Sequence, residues 1–172
     1  MIVADAAGHA ATVERVPGEP PWVRRLGERV AVTNHLEGPH AQDPRNLRVR
    51  ATTSSVARLA RATELLAAAP PLTAERTVGL LRDRRGAGGS PLPLGDRRAI
   101  DALIATHGVV MSTTRRVLWV SESPHLLGRF VAFDLGRLLD PDYVPEADSR
   151  PLEAVPADPM LASGEWERLG RR

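Results

Sequence analysis

Apolar positions change their spacing twice along this chain. The first sixteen residues alternate: "MIVADA" and "ATVERV" are short β-prone runs on either side of "AGHA", where Gly8 permits a turn, so a hairpin is predicted. A loop rich in Pro17, Gly18, Pro20 and Pro21 follows. The next alternating run is "RVAVTN", 29–34, read as a third strand with Val30, Val32 and Asn34 on one face. Residues 35–51 are polar and read as a loop.

The middle turns helical. Val56, Leu59, Leu66 and Ala69 approximate one apolar stripe after Ser54 or Ser55 as N-cap, and Pro70-Pro71 ends it. Thr73 caps a second helix to about Arg85, with Val78 and Leu81 inward. "RRGAGGSPLPLGD" reads as a linker, and a third helix is predicted from near Asp96, with Ile100, Leu103 and Ile104 as its apolar face. Alternation then returns. "GVVMS" and "RVLWVSE" are two strands joined at Thr113-Thr114-Arg115, and "GRFVAFDL" (128–135) is another. The two strand groups with helices between them predict an α+β fold with antiparallel pairing inside each group. Residues 1–138 read as one domain portion and 139–172 as an irregular Pro-rich tail, with at most one short helix near "SGEWERLG".

Composition narrows the chemistry. The 172 residues are 42% hydrophobic and only 3% aromatic, so the core falls to Leu, Val, Ile and Ala. All 23 basic residues are Arg, interspersed with 21 acidic ones for a net charge of +2, which leaves no nucleic-acid footprint. The absence of cysteine removes disulfides, thiolate metal sites and a cysteine nucleophile from this chain. No apolar run approaches membrane-spanning length, so no membrane partner is expected and the default expectation is a cytoplasmic protein. His9, His35, His40, His107 and His125 are dispersed without metal-ligand spacing, and neither a metal nor a cofactor is predicted.

Two places carry candidate chemistry. Asn34 ends an apolar run, where a side-chain amide can donate to an oxyanion; the alternative is that it only terminates the strand. Arg58 and Arg61 follow the Ser54-Ser55 cap by about one turn, an electrostatically unfavourable place for a cation unless it serves a site or an anion; the alternative is an exposed arginine.

"VAVTNHLEGP" followed by "SSVARLARATELL" resembles the acyl-coenzyme A:isopenicillin N acyltransferase-like family, autoproteolytic N-terminal-nucleophile (Ntn) hydrolases related to choloylglycine hydrolase. "LTAERTVGLLRD" and "ATHGVVMSTTRRVLWVSESP" extend the resemblance over about residues 1–138. It implies part of a four-layer αββα sandwich. It also implies a catalytic cysteine, freed as a new N-terminus by self-cleavage, that attacks an amide or thioester carbonyl and forms an acyl-enzyme. By the same resemblance Asn34 lines the oxyanion hole and Arg58 lies near the nucleophile, with Arg61 the lesser match; His35 is read, from its place after the strand, as a structural histidine that supports the loop.

The chain departs from that pattern in having no cysteine, and Ile2 leaves no nucleophile behind Met1. It is therefore read as a C-terminal segment of such a hydrolase or acyltransferase, inactive alone. Its expected partners are an upstream chain carrying the nucleophile and a small acyl-amide or acyl-thioester substrate. The alternative is a non-catalytic binding or interaction protein on the same scaffold. A helix-turn-helix regulator is disfavoured by the acidic residues in the two helices and the Pro-Pro linker.

Overall fold

Gly8 sits at φ +88°, a conformation other residues resist, and turns the first two β-prone runs against each other. In the computed structural model, which describes residues 1–142, 144 and 152–171, strand β1 (Ile2–Ala4) pairs antiparallel with β2 (Ala10–Glu14). The third strand of this sheet is β3 (Trp22–Arg25), which pairs antiparallel with β2. The expected strand at 29–34 does not form. Residues 29–33 take no regular secondary structure, and no strand pairs with them among the described residues.

That segment instead runs along helix α2 (Ser55–Ala68) in the opposite sense. The Arg29 guanidinium donates to the carbonyls of Leu66 (2.6 Å) and Ala69 (2.5 Å) at the helix C-terminus. Thr33 and Asn34 are tied to Ser55 at its N-terminus. The lengths agree: an extended run from 29 to 35 covers about 20 Å, and a 14-residue helix about 21 Å. The loop expected at 35–51 contains a 3-10 turn (Pro39–Gln42) and helix α1 (Pro44–Thr52). Asp43 caps α1 by accepting from the Arg45 N–H at 2.7 Å, and Pro44 occupies its first position.

Helix α3 (Ala74–Leu81) is capped by Thr73, as its sequence predicts, but stops short of Arg85. The residues beyond it serve as anchors: Asp83 takes the Arg61 guanidinium, while Arg82 donates to the carbonyls of Leu126, Pro156 and Gly128. The helix expected from Asp96 is absent, and residues 94–100 are turns and bends. Asp96 accepts from the Arg98 N–H, Asp101 accepts from the Leu103 N–H, and Leu103 itself has φ +51°. Such local bonds compete with a helical ladder.

The second sheet follows the alternation closely: β4 (Val109–Ser112), β5 (Val117–Ser121) and β6 (Phe130–Asp134), antiparallel in that order. Its inner face and α3 form the core, built on Val78, Val110, Val117, Trp119, Leu126 and Phe130. Val155 completes this core and exchanges both backbone hydrogen bonds with Phe130, at 2.9 and 3.0 Å. So part of the segment read as an irregular tail is integral to the fold, although residues 143, 145–151 and 172 of that tail lie outside the described ones. Two short helices, α4 (Leu135–Leu138) and α5 (Pro159–Ser163), and a 3-10 stretch (Glu165–Arg171) follow β6.

The architecture is thus α+β, with two antiparallel three-stranded sheets among the described residues. On the second sheet, the face away from α3 carries two fully apolar cross-strand rows, Val109–Val120–Val131 and Met111–Leu118–Phe133. Met111 is 65% exposed there.

Candidate functional site

Three anchors hold the Asn34-His35 turn. The first is Ser55, fully buried at the start of α2. Its Oγ accepts the Asn34 N–H at 2.8 Å and lies 2.8 Å from His35 Nδ1 and 3.0 Å from Thr33 Oγ1, while the Thr33 hydroxyl donates to the Ser55 carbonyl at 3.0 Å. A serine has one proton to give. A hydrogen on His35 Nδ1 closes the network without conflict: Nδ1–H donates to Ser55, Ser55 to Thr33, and Thr33 to the carbonyl. The second anchor is Asn46 on α1, whose amide bonds both the N–H and the carbonyl of Leu36. The third is Glu14 on β2, which accepts the N–H groups of Glu37 and Gly38 at 2.8 and 2.9 Å. The Trp22 ring occupies the space a Cβ on residue 38 would need, so only glycine lets the first sheet close onto this turn.

His35 is therefore a structural residue, as its sequence context suggests, and Ser55 matters as a buried anchor rather than as a helix cap. The cap residue Ser54 makes no side-chain cap bond. Ser55→Ala should destabilise the chain by about 1–3 kcal/mol, because it removes the acceptor of the Asn34 N–H and leaves the buried His35 Nδ1 with only the Thr33 hydroxyl, 3.2 Å away. Urea denaturation measures this, and a loss below about 0.5 kcal/mol would mean that water replaces the hydroxyl.

With the turn fixed, Asn34 and Arg58 meet. Arg58 Nη2 donates to Asn34 Oδ1 at 2.5 Å. A guanidinium offers only donors, so it holds the amide oxygen toward itself and leaves the Asn34 Nδ2 hydrogens directed elsewhere. Both residues line a cavity of about 670 Å³ between the start of α2 and the 97–106 segment. Asn34 is exposed, and the strand expected to place it on one face with Val30 and Val32 does not form. Burial lowers the Arg58 pKa from its ordinary value, and the nearby Arg97 charge lowers it further.

Arg61, one turn on, has a different role. Its guanidinium pairs with Asp83 through two bonds of 2.9 and 2.7 Å, and both side chains are largely buried. Arg97 also lines the cavity and was not anticipated from the sequence, since neither periodicity nor a motif marks it. Among the described residues, no cluster of His, Asp or Glu could hold a metal ion, and no helix is long and apolar enough to cross a membrane. No protein-family model, curated protein or solved structure matches the chain.

Proposed function

We propose that this chain is the C-terminal segment of an N-terminal-nucleophile amidohydrolase or acyltransferase, related to the isopenicillin N acyltransferase-like enzymes, and that its αββα sandwich is completed by an upstream chain bearing the cysteine. The Arg58–Asn34 hydrogen bond in the lining of a ligand-sized cavity carries this reading. An amide whose oxygen is held by a cation is preorganised to donate through Nδ2, as an oxyanion hole requires. Arg58 contributes positive charge beside the reacting centre, which favours a thiolate nucleophile there. The apolar outer rows of the second sheet support it too, since each sheet of a four-layer αββα sandwich packs on a sheet at one face and on helices at the other.

A different observation favours the non-catalytic reading: the chain has no cysteine, and its one deeply buried histidine serves the loop. One experiment separates the two. The coding sequence upstream of Met1 is read for an in-frame segment with a cysteine after a cleavage junction, and that segment is coexpressed with this chain. Hydrolysis of acyl-amide substrates that iodoacetamide abolishes is the expected result. The chain alone should show neither turnover nor self-cleavage. Finding no such segment, or an inert complex, would leave the binding-protein reading.

A further inference from the structure

We propose that the cavity shared by Arg58 and Arg97 is a binding site for a ligand with a carboxylate head and a short apolar body. The assignment rests on the cavity itself and does not depend on the acyl-transfer reading.

Charge balance is the first reason. Several arginines elsewhere pair with acid, Arg61 with Asp83, Arg84 with Asp101 and Asp158, Arg98 with Asp96 and Arg129 with Glu122, and others, such as Arg29, Arg76 and Arg82, donate to backbone carbonyls. Arg58 and Arg97 line one cavity, and neither has an acidic partner among the described residues. The acid in the lining, Asp101, is 2% exposed and already committed: Arg84 Nε donates to one oxygen at 3.0 Å and the Leu103 N–H to the other at 3.0 Å. Two guanidinium groups thus line one cavity close enough for their charges to repel, one of them is partly desolvated, and no carboxylate of the described residues pairs with either. An anionic ligand relieves this repulsion and replaces the water that burial removes.

The walls decide what kind of anion. Val49, Ile100, Ala102 and Ile104 supply an apolar side, with Ile104 57% exposed. The volume suits a small organic molecule. One guanidinium nitrogen of Arg58 is spent on Asn34, which leaves a planar edge suited to a carboxylate.

The test uses the 172-residue chain and octanoate, followed by isothermal titration calorimetry at neutral pH. Octanamide and inorganic phosphate are the comparison ligands. Saturable binding of octanoate is expected, with octanamide and phosphate each at least about tenfold weaker, the loss of one charge-assisted contact or of the apolar body. Arg97→Gln should weaken octanoate about tenfold, and Arg58→Gln by at least as much. Arg98→Gln removes the same charge from the adjacent residue and should leave affinity unchanged. Arg97 is exposed, so its variant is expected to keep the wild-type circular dichroism and unfolding midpoint. Absence of octanoate binding would overturn the proposal. Equal affinity for octanamide would mark an apolar pocket only, equal affinity for phosphate a simple anion site, and equal losses in R97Q and R98Q a diffuse charge effect; each overturns it. None of these outcomes bears on whether an upstream cysteine confers amidase activity, so the two ideas fail separately.

Discussion

Arg84→Ala should destabilise the fold by about 3–5 kcal/mol, a large share of the stability of an ordinary domain. Arg84 Nη2 lies 2.9 Å from Asp101 and 2.7 Å from Asp158, and thereby joins the 97–106 segment to the start of α5. The Asp101 side chain is 1% exposed, so removing the arginine leaves a charge buried without its counterion. Adding Asp101→Asn to the Arg84→Ala variant should recover part of the loss, because the stranded charge is gone. Guanidinium titration with an unchanged slope would report this, and a cost under about 1 kcal/mol would show that water reaches Asp101.

The same cluster predicts an acid response. Burial alone pushes the Asp158 carboxyl up, but hydrogen bonds from Arg84 and the Met160 N–H, with the charges of Arg84 and Arg82, outweigh it and hold its pKa below the ordinary 3.8. A carboxyl held lower in the folded state stabilises the fold above its unfolded pKa and loses that contribution as pH falls through its folded value. Wild-type stability should therefore drop below about pH 4 in a step that Asp158→Asn lacks.

If the proposed complex with an upstream, nucleophile-bearing chain is assembled and active, Asn34→Ala should lower its turnover by about a hundredfold or more while substrate binding changes less. The donor matters only once negative charge develops on the carbonyl oxygen. Asn34→Asp should be as damaging, since a carboxylate satisfies Arg58 but offers no N–H. Arg58→Ala should also impair turnover, because the amide is then free to flip. Arg61→Ala, by contrast, should cost stability rather than rate, for it breaks the pair with Asp83. Steady-state kinetics with unfolding curves for the four variants make the comparison. Near-wild-type rates in both Asn34→Ala and Arg58→Ala would reduce the turn to loop chemistry and withdraw the site.

Helices α2 and α3 and the second sheet were legible from sequence because their signals are local. Pro70-Pro71 stops α2, Thr73 caps α3, and strict alternation through β5 buries Val117, Trp119 and Ser121. Local signals misled where a side chain outbids the pattern. "RVAVTN" has strand composition, but a strand needs a neighbour, and Arg29 and Ser55 bind this run to a helix instead. The stripe at Ile100, Leu103 and Ile104 fits a helix, yet Asp96 and Asp101 spend their carboxylates on nearby N–H groups and the chain turns. At α1 the Asp43-Pro44 pair was a readable start signal, hidden by the polarity of the helix it opens.

The candidate site divides the same way. Asn34 stood out at the end of an apolar run and Arg58, with Arg61, at a helix start; the resemblance added their roles, but a separation of 24 positions says nothing about contact. Nor could spacing tell Arg58 from Arg61, which lie on one helix a turn apart; Asp83, held beyond the end of α3, captures one and leaves the other to the cavity. Arg97 belongs to the site only because the expected helix fails and the 97–106 segment folds across the start of α2. Sequence determined which residue types were available and where the regular elements lie, since propensity and capping act over a few residues. Tertiary structure decided which charges were neutralised and which were left facing an empty space, because that depends on partners brought together from distant parts of the chain.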